Sequence, residues 1–130
     1  MDSRDQKKIV RAFFKLVAQG KQKDSLSLFA ADCKQHNPYV RGGMDALFDS
    51  MAEVQRQSKY LDAHLAVKSI LADGDMVAVH TEFLGSGSKP EEGGLRKVHL
   101  FRFGKDNKIA EYWDITQQIM PNMPNAANAF

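Results

Sequence analysis

The sequence predicts an α+β domain in which three amino-terminal helices pack against a curved, mainly antiparallel sheet of about four to six strands. Two observations predict this fold class. Apolar residues recur every three or four positions before Lys59, and they alternate with polar residues beyond it. Turn formers such as Asp73-Gly74 then divide the alternating half into short strands. Because a twisted sheet curls around the layer packed on it, we expect a cavity between the helices and the sheet.

The helices are predicted from apolar spacing and from their stop signals. We place the first at Asp5–Gln19, where Gly20 ends it, and a shorter second helix that ends near residues 31–32. Gly42-Gly43 opens the third helix. The apolar positions at helical spacing are Ile9, Val10, Phe13, Phe14 and Val17 in the first helix, Leu26, Phe29 and Ala30 in the second, and Met44, Leu47, Phe48, Met51 and Val54 in the third.

The second half of the chain is predicted to form four strands. Their expected ranges are Leu61–Ala72, Met76–Leu84, Leu95–Phe103 and Lys108–Gln118. Alternation sets Val77, Val79 and Phe83 on one face of the second strand, and His80 and Glu82 on the other. The last strand has two faces, with Glu111, Trp113, Ile115 and Gln117 on one and Ala110, Tyr112, Asp114 and Thr116 on the other. We expect the apolar Val77 face to be an outer face that a second copy covers, which predicts a homodimer.

Length and composition indicate one domain over residues 1–120, followed by a tail at 121–130 that packs across the domain, clasps a partner or is disordered. Eighteen basic and sixteen acidic residues give a net charge of +2 with no basic cluster, so no nucleic-acid partner is expected. The single cysteine, Cys33, excludes an internal disulfide. With no signal-like start and no apolar run of about 18 residues, we expect a cytoplasmic protein without membrane contact.

The stretch Gln35-His36-Asn37-Pro38 is the first that points to chemistry. Proline fixes its own φ and keeps the preceding residue out of the helical region, so His36 is expected on a loop or at the start of a strand. Binding and catalytic residues concentrate on such loops, and the unperturbed pKa of histidine lies near physiological pH. The alternative is that His36 and Asn37 only hydrogen-bond their own turn.

Three further polar features lie on separate predicted strands: His80 with Glu82, His99, and Trp113-Asp114. An aspartate can hold the tautomer of an imidazole that moves a proton, which makes these types a candidate acid–base site. His80 and Glu82 have an alternative as the water-facing side of their strand. Two histidines and a carboxylate would also suit a metal ion, but no pair of histidines has the tight spacing of metal ligands, so we expect no metal and no cofactor.

Four local motifs, in this order and spacing, resemble the SnoaL-like branch of the nuclear-transport-factor-2-like superfamily, which includes proteins predicted to catalyse aldol condensation. The resemblance spans roughly Phe29 to Gln118. The matching motifs are Gln35-His36-Asn37-Pro38 leading to Gly42-Gly43-Met44-Asp45-Ala46-Leu47, then Ala72-Asp73-Gly74-Asp75-Met76-Val77-Ala78-Val79-His80, Phe101-Arg102-Phe103, and Lys108-Ile109-Ala110-Glu111-Tyr112-Trp113-Asp114-Ile115.

The resemblance implies a cone-shaped, cystatin-like fold whose cavity is faced by His36, His80 and Asp114. Related cone-fold enzymes, such as polyketide cyclases and limonene epoxide hydrolase, use an aspartate near the corresponding strand end as a base. This chain departs from the family pattern at three positions that keep the cavity polar but alter its acid–base groups. They are Glu82, where many members have histidine, His99, where aspartate is frequent, and Tyr112, where histidine is frequent.

The leading hypothesis is a small-molecule enzyme that transfers a proton on an apolar carbonyl or cyclic substrate without a cofactor. Asp114 or His36 is the base and the other orients it, while Asn37 and His80 hydrogen-bond the developing oxyanion. The remaining predicted substrate-binding residues are Trp113, Tyr112, Glu82 and His99. The alternative is a non-catalytic module of the same fold that binds a hydrophobic ligand or dimerises. This alternative would be favoured if Met123 and Phe130 of the tail filled the cavity mouth or contacted a neighbouring copy.

Overall fold

A computed structural model describes residues 1–57, 63–85 and 92–130 of this chain. It contains two α-helices, short 3₁₀ segments and one five-stranded sheet. Among these residues, no helix is long and apolar enough to cross a membrane. The elements are α1 (Ser3–Ala18), β1 (Phe29–Gln35), α2 (Met44–Arg56), β2 (Ala63–Asp73), β3 (Met76–Gly85), β4 (Gly94–Phe103) and β5 (Ile109–Ile119), with 3₁₀ segments at Gln22–Leu28, Lys105–Asn107 and Ala126–Asn128.

Helix α1 forms where its apolar spacing predicts it. The Asp2 side chain accepts a hydrogen bond from the backbone N–H of Asp5 at 2.9 Å and so caps the first turn. At the other end Gly20 has a φ of +70°, a left-handed conformation that ends helices and favours glycine. The buried face of α1 consists of Gln6, Val10, Phe13, Phe14 and Val17.

The predicted second helix is wrong. Residues Gln22–Leu28 form a 3₁₀ segment, and Phe29–Gln35 are strand β1. The buried Phe29 and Cys33 are four positions apart, a spacing that fits one face of a helix and equally one face of a strand. Residues 29–35 are a strand and not a helix because their backbone pairs in parallel with β5.

The sheet has the strand order β1-β5-β4-β3-β2. All neighbours are antiparallel except β1 and β5, so the sheet is mixed, with a strand between the two helices in sequence. The α+β class and the four predicted strands are confirmed, and Asp73-Gly74 connects β2 to β3 as expected. The predicted start of the first strand, at Leu61-Asp62, lies outside the described residues. So does most of the segment between Gly85, the last residue of β3, and Gly94, the first residue of β4.

The core lies between the helices and one face of the sheet. Val77 and Val79 are 0% and 1% exposed there, so the prediction that their face points outward is wrong. Phe13 of α1 is the centre of an aromatic cluster, with ring centroids 5.6 Å from Phe101 and 6.0 Å from Tyr112. The opposite, outer face of the sheet leaves Leu71, Val98 and Ile115 exposed.

The carboxy-terminal tail packs against the end of β4 and β5. Ala126 is 4% exposed, and a guanidinium nitrogen of Arg96 donates to the carbonyl of Ala129. The ring of Phe130 lies so near Gly94 that a Cβ there would sit 3.2 Å from it. Neither Met123 nor Phe130 belongs to the cavity lining. In the described part of the chain, the tail therefore leaves the cavity unplugged.

Candidate functional site

A cavity of about 360 Å³ lies between α1, α2 and the inner face of the sheet. Most of its wall is apolar, which is typical of small-molecule sites. The apolar lining consists of Phe13, Phe14, Val17, Ala18, Leu47, Met51, Val54, Leu65, Phe83 and Leu95. The polar side chains of the lining are Gln19, Asn37, Ser50, Gln55, Lys97, His99, Tyr112 and Asp114.

Strands β4 and β5 bring four of these polar groups together. Their antiparallel pairing sets His99 directly opposite Asp114, and alternation along each strand turns Lys97 and Tyr112 to the same inner face. The inner residues of two adjacent strands thereby form a polar patch in an otherwise apolar cavity.

Asp114 is the one carboxylate among the lining residues that the structure describes, and its two oxygens differ. Oδ2 accepts a hydrogen bond from Nδ2 of Asn37 at 3.1 Å. Oδ1 is buried and has no hydrogen-bond partner among the described residues. A buried acceptor without a partner costs about 1–3 kcal/mol, so such a group calls for a specific explanation. Among the described lining residues, Asp114 is therefore the side chain with an incomplete set of hydrogen bonds at its buried atoms.

The Asn37 amide is aimed at Asp114 by its own loop. Its Oδ1 accepts from the backbone N–H of Tyr39 at 2.8 Å, which leaves the NH₂ group to face Asp114. Three hydrogen bonds from the Gln35 side chain stabilise this loop. Its Nε2 donates to the carbonyls of Val40 and Gly42 at 2.9 Å, and its Oε1 accepts from the Asn37 N–H at 2.8 Å. In this motif, Gln35 builds the loop and Asn37 contacts the site.

His99 belongs to a buried hydrogen-bonded row beside Asp114. Its Nε2 lies 2.8 Å from Oγ1 of Thr81, and its Nδ1 lies 2.7 Å from the hydroxyl of Tyr112. Burial, helped by the nearby Lys97 charge, holds the pKa of His99 well below its usual 6.5. Burial likewise raises the pKa of Tyr112 well above 10.0, with a smaller contribution from Asp114. Both side chains are neutral at physiological pH, so the row fixes the cavity wall instead of exchanging protons with solvent.

His36 does not face the cavity. Its ring stacks on Trp113 with centroids 4.5 Å apart and planes 9° apart, and its Nε2 lies 2.8 Å from Oε2 of Glu111. Arg102 donates to the other oxygen of Glu111 at 2.8 Å. These contacts, the His36 hydrogen bond first, lower the pKa of Glu111. Glu111 and Trp113 alternate with Tyr112 and Asp114, so His36 lies on the outer face of the sheet.

His80 and Glu82 also belong to the outer face, because they alternate with the buried inner residue Thr81. Oε1 of Glu82 lies 3.5 Å from Nζ of Lys68, and neither His80 nor Glu82 lines the cavity. The structure therefore does not bring His36, His80 and Asp114 together. Of the predicted substrate-binding residues, it places Asn37, Tyr112 and His99 in the cavity lining, and Trp113 and Glu82 outside it.

Two residues of this site were missed from the sequence: Lys97, which lines the cavity, and Thr81, which lies behind the lining. Lys97 is two positions before His99 and so shares its face, a signal that alternation alone supplied. Thr81 partners His99 from the neighbouring strand, which only the register of β3 on β4 determines.

The described residues offer this cavity neither a reactive thiol nor a group of metal ligands. Burial, reinforced by Asp32, raises the pKa of the Cys33 thiol to about 11, so the thiol stays protonated. Over the ranges 1–57, 63–85 and 92–130, no three side chains of histidine, cysteine, aspartate or glutamate are grouped so that they could hold a metal ion.

Solved structures share this architecture. AclR, a proposed hydroxylase from Streptomyces galilaeus, has 18% identity and a TM-score of 0.71, covering 89% of this chain and 91% of its own. IdmH, a proposed polyketide cyclase from Streptomyces antibioticus, has 16% identity and a TM-score of 0.67, with 86% and 91% covered. A steroid delta-isomerase from Pseudomonas aeruginosa has 15% identity and a TM-score of 0.62, with 90% and 82% covered.

Among curated protein sequences, none matches this chain. The model of the SnoaL-like domain matches residues 10–112, which are most of the chain and run from the middle of α1 into the first half of β5. The chain belongs to the SnoaL-like domain family.

Proposed function

We propose that this chain is a small-molecule enzyme that removes a proton next to the carbonyl group of an apolar or cyclic substrate held in the cavity. The observation that carries the proposal is the Asp114 carboxylate, which lines an apolar cavity with one oxygen bound by Asn37 and the other unpartnered among the described residues. Structural neighbours named as a cyclase and an isomerase support small-molecule chemistry on this fold.

Asp114 is the base in this scheme. Its Oδ1 accepts the proton from the carbon next to the carbonyl, and the electron pair moves onto the carbonyl oxygen to give an enolate. Asn37 lines the same cavity, and in this scheme the N–H of its amide that does not bind Asp114 hydrogen-bonds the enolate oxygen. The apolar wall excludes water and so strengthens these interactions. The proton then returns to the substrate at the same or another carbon.

The test is proton exchange on a ketone. The purified protein is incubated in D₂O with 2-tetralone or cyclohexanone, and deuterium incorporation next to the carbonyl is followed by NMR. We expect wild-type protein to accelerate exchange and Asp114→Asn to reduce the rate at least ~100-fold, the usual contribution of a general base. Asp32→Asn is the matched control, because Asp32 is exposed on β1 and remote from the cavity lining.

Three outcomes would contradict the proposal. Exchange by Asp114→Asn at the wild-type rate would exclude Asp114 as the base. A loss in His36→Gln or His80→Gln as large as that in Asp114→Asn would instead move the site to the outer face of the sheet. Binding of both ketones without exchange would favour the alternative, a non-catalytic module that holds a hydrophobic ligand.

We also propose that the chain forms a homodimer through the outer face of the sheet. Val98 and Ile115 are cross-strand partners there, and they are 41% and 56% exposed. Charged side chains of both signs surround them, including Arg102 and Glu111. A two-fold contact brings each such residue opposite its counterparts in the second copy, so a patch that carries both signs can complement itself.

A further inference from the structure

Lys97 is a cationic side chain inside the apolar cavity. It lies on the inner face of β4 between Leu95 and His99, and all three line the cavity. Its Nζ lies over the Phe83 ring, 5.6 Å from the centroid. The described residues contain no carboxylate within ion-pairing distance of it. By contrast, Lys23 has Nζ 2.7 Å from Asp49 on the surface.

The surroundings of Lys97 favour the neutral amine. Burial lowers its pKa, and the more distant Asp114 carboxylate opposes this only in part. A neutral lysine amine is a nucleophile toward carbonyl carbons, whereas the ammonium form is not. The mechanism proposed above gives this group no role, although it shares the cavity with Asp114.

The spacing of Lys97 and Asp114 fits a carbonyl compound between them. On β5, Thr116 is the direct partner of Lys97 and Asp114 is the partner of His99, so Lys97 and Asp114 are diagonal neighbours on one face. Diagonal neighbours in an antiparallel pair lie about 7–8 Å apart, within reach of a long side chain. Because Nζ lies over Phe83, on the β3 side of β4, a carbonyl compound attached to it must reach across β4 to bring its neighbouring carbon to Asp114.

We propose that Lys97 forms an imine with the aldehyde or ketone group of the substrate, so that the cavity captures carbonyl compounds covalently. Nζ attacks the carbonyl carbon to give a carbinolamine, and loss of one water, made from the carbonyl oxygen and two protons, leaves the C=N bond. No electrons are exchanged with any other reactant. Protonated, this imine withdraws electrons from the neighbouring C–H bond. This last role rests on the proposed function, because it needs Asp114 to remove that proton; with the imine the product is an enamine in place of the enolate. Asp114 then returns the proton to carbon, and addition of water to the C=N bond releases the carbonyl compound and restores the amine.

The test traps the imine with an aldehyde that has no proton next to its carbonyl. Full-length protein is incubated at pH 7 with benzaldehyde and sodium cyanoborohydride, which reduces an imine to a stable benzylamine, and labelled lysines are located by peptide mass spectrometry. We expect Lys97 to be labelled several-fold faster than Lys23, because its lowered pKa leaves a larger fraction of neutral amine at pH 7. Lys23 is the reference because Asp49 raises its pKa.

Variants separate this result from general reactivity. Lys97→Met has an unbranched side chain without an amine, so label at position 97 should vanish while Lys23 reacts as before and the protein remains folded. Labelling of Lys97 no faster than Lys23 would overturn the proposal. Benzoate binding that Lys97→Met abolishes would then identify Lys97 as an ion-pair anchor for anionic ligands.

Benzaldehyde also separates this proposal from the proposed function. It has no proton for Asp114 to remove, so trapping at Lys97 reports on imine formation alone. Protein that is trapped by benzaldehyde yet fails to exchange 2-tetralone would contradict the proton-removal function and leave covalent capture standing. Protein that exchanges 2-tetralone but is not trapped at Lys97 would overturn imine formation only.

Discussion

Removing the Tyr112 hydroxyl tests whether the buried row of Thr81, His99 and Tyr112 is a structural unit. Tyr112 is 0% exposed and His99 is 4% exposed, and 2.7 Å separates the hydroxyl from Nδ1. Tyr112→Phe keeps the ring, whose centroid lies 5.0 Å from that of Phe101. The change therefore removes one hydrogen bond and leaves a buried imidazole nitrogen without a partner. We expect the free energy of unfolding to fall by about 1–3 kcal/mol.

The assay is urea unfolding followed by circular dichroism, with the free energy extrapolated to water. A double-mutant cycle with His99→Phe separates the hydrogen bond from the ring packing. When position 99 is apolar, the Tyr112 hydroxyl is already unpaired, so Tyr112→Phe should then be neutral or stabilising. A loss below about 0.5 kcal/mol in the wild-type background, or the same loss in both backgrounds, would refute the reasoning, because neither is expected of a buried bond between these two groups.

Two further predictions concern the cavity and the outer face. Lys97→Met should stabilise the protein at pH 7, because burial lowers the pKa of Lys97 and the unfolded chain therefore binds that proton more tightly than the folded one. The free energy of unfolding of the wild type should rise with pH between the lowered pKa of Lys97 and the ordinary value of 10.5. In urea unfolding, the extra stability of Lys97→Met should therefore disappear above pH 10.5. A Lys97→Met protein that is less stable than the wild type at pH 7 would contradict this prediction. Ile115→Lys should convert the proposed dimer into a monomer in sedimentation, because it puts a charge into the exposed outer face. Thr116→Lys is the control: it changes the opposite face of the same strand and should leave the dimer intact. A monomeric wild-type protein would contradict the proposed dimer.

Short stretches of sequence were sufficient to predict the positions of most helices and strands of this fold. Helix α1 carries its own cap and a regular apolar face, and the four later strands alternate between turn formers except at irregularities in β2 and at the start of β5. These features involve residues within one or two turns of each other, so they are readable without the rest of the chain. The same alternation correctly separates Tyr112 and Asp114 from Glu111 and Trp113.

Alternation cannot say which face of a strand meets the helices. That depends on packing across the whole domain, which buries Val77 and Val79 against the helices instead of leaving them outside. The same choice turns Asp114 into the cavity and His80 away from it. Alternation puts Lys97 on the same face as His99, but only the packing of the domain shows that this face lines the cavity.

The sequence by itself determined the α+β class, the strands of the second half and the motif around Asn37. Only the tertiary structure decided where His36 lies. Parallel pairing sets Gln35 opposite Tyr112, and the backbone N–H of His36 then donates to the Tyr112 carbonyl at 3.0 Å. This carries His36 to Trp113 and Glu111 on the outer face, while Asn37 reaches Asp114 in the cavity. The pairing joins residues more than seventy positions apart, and no local pattern encodes a contact of that separation.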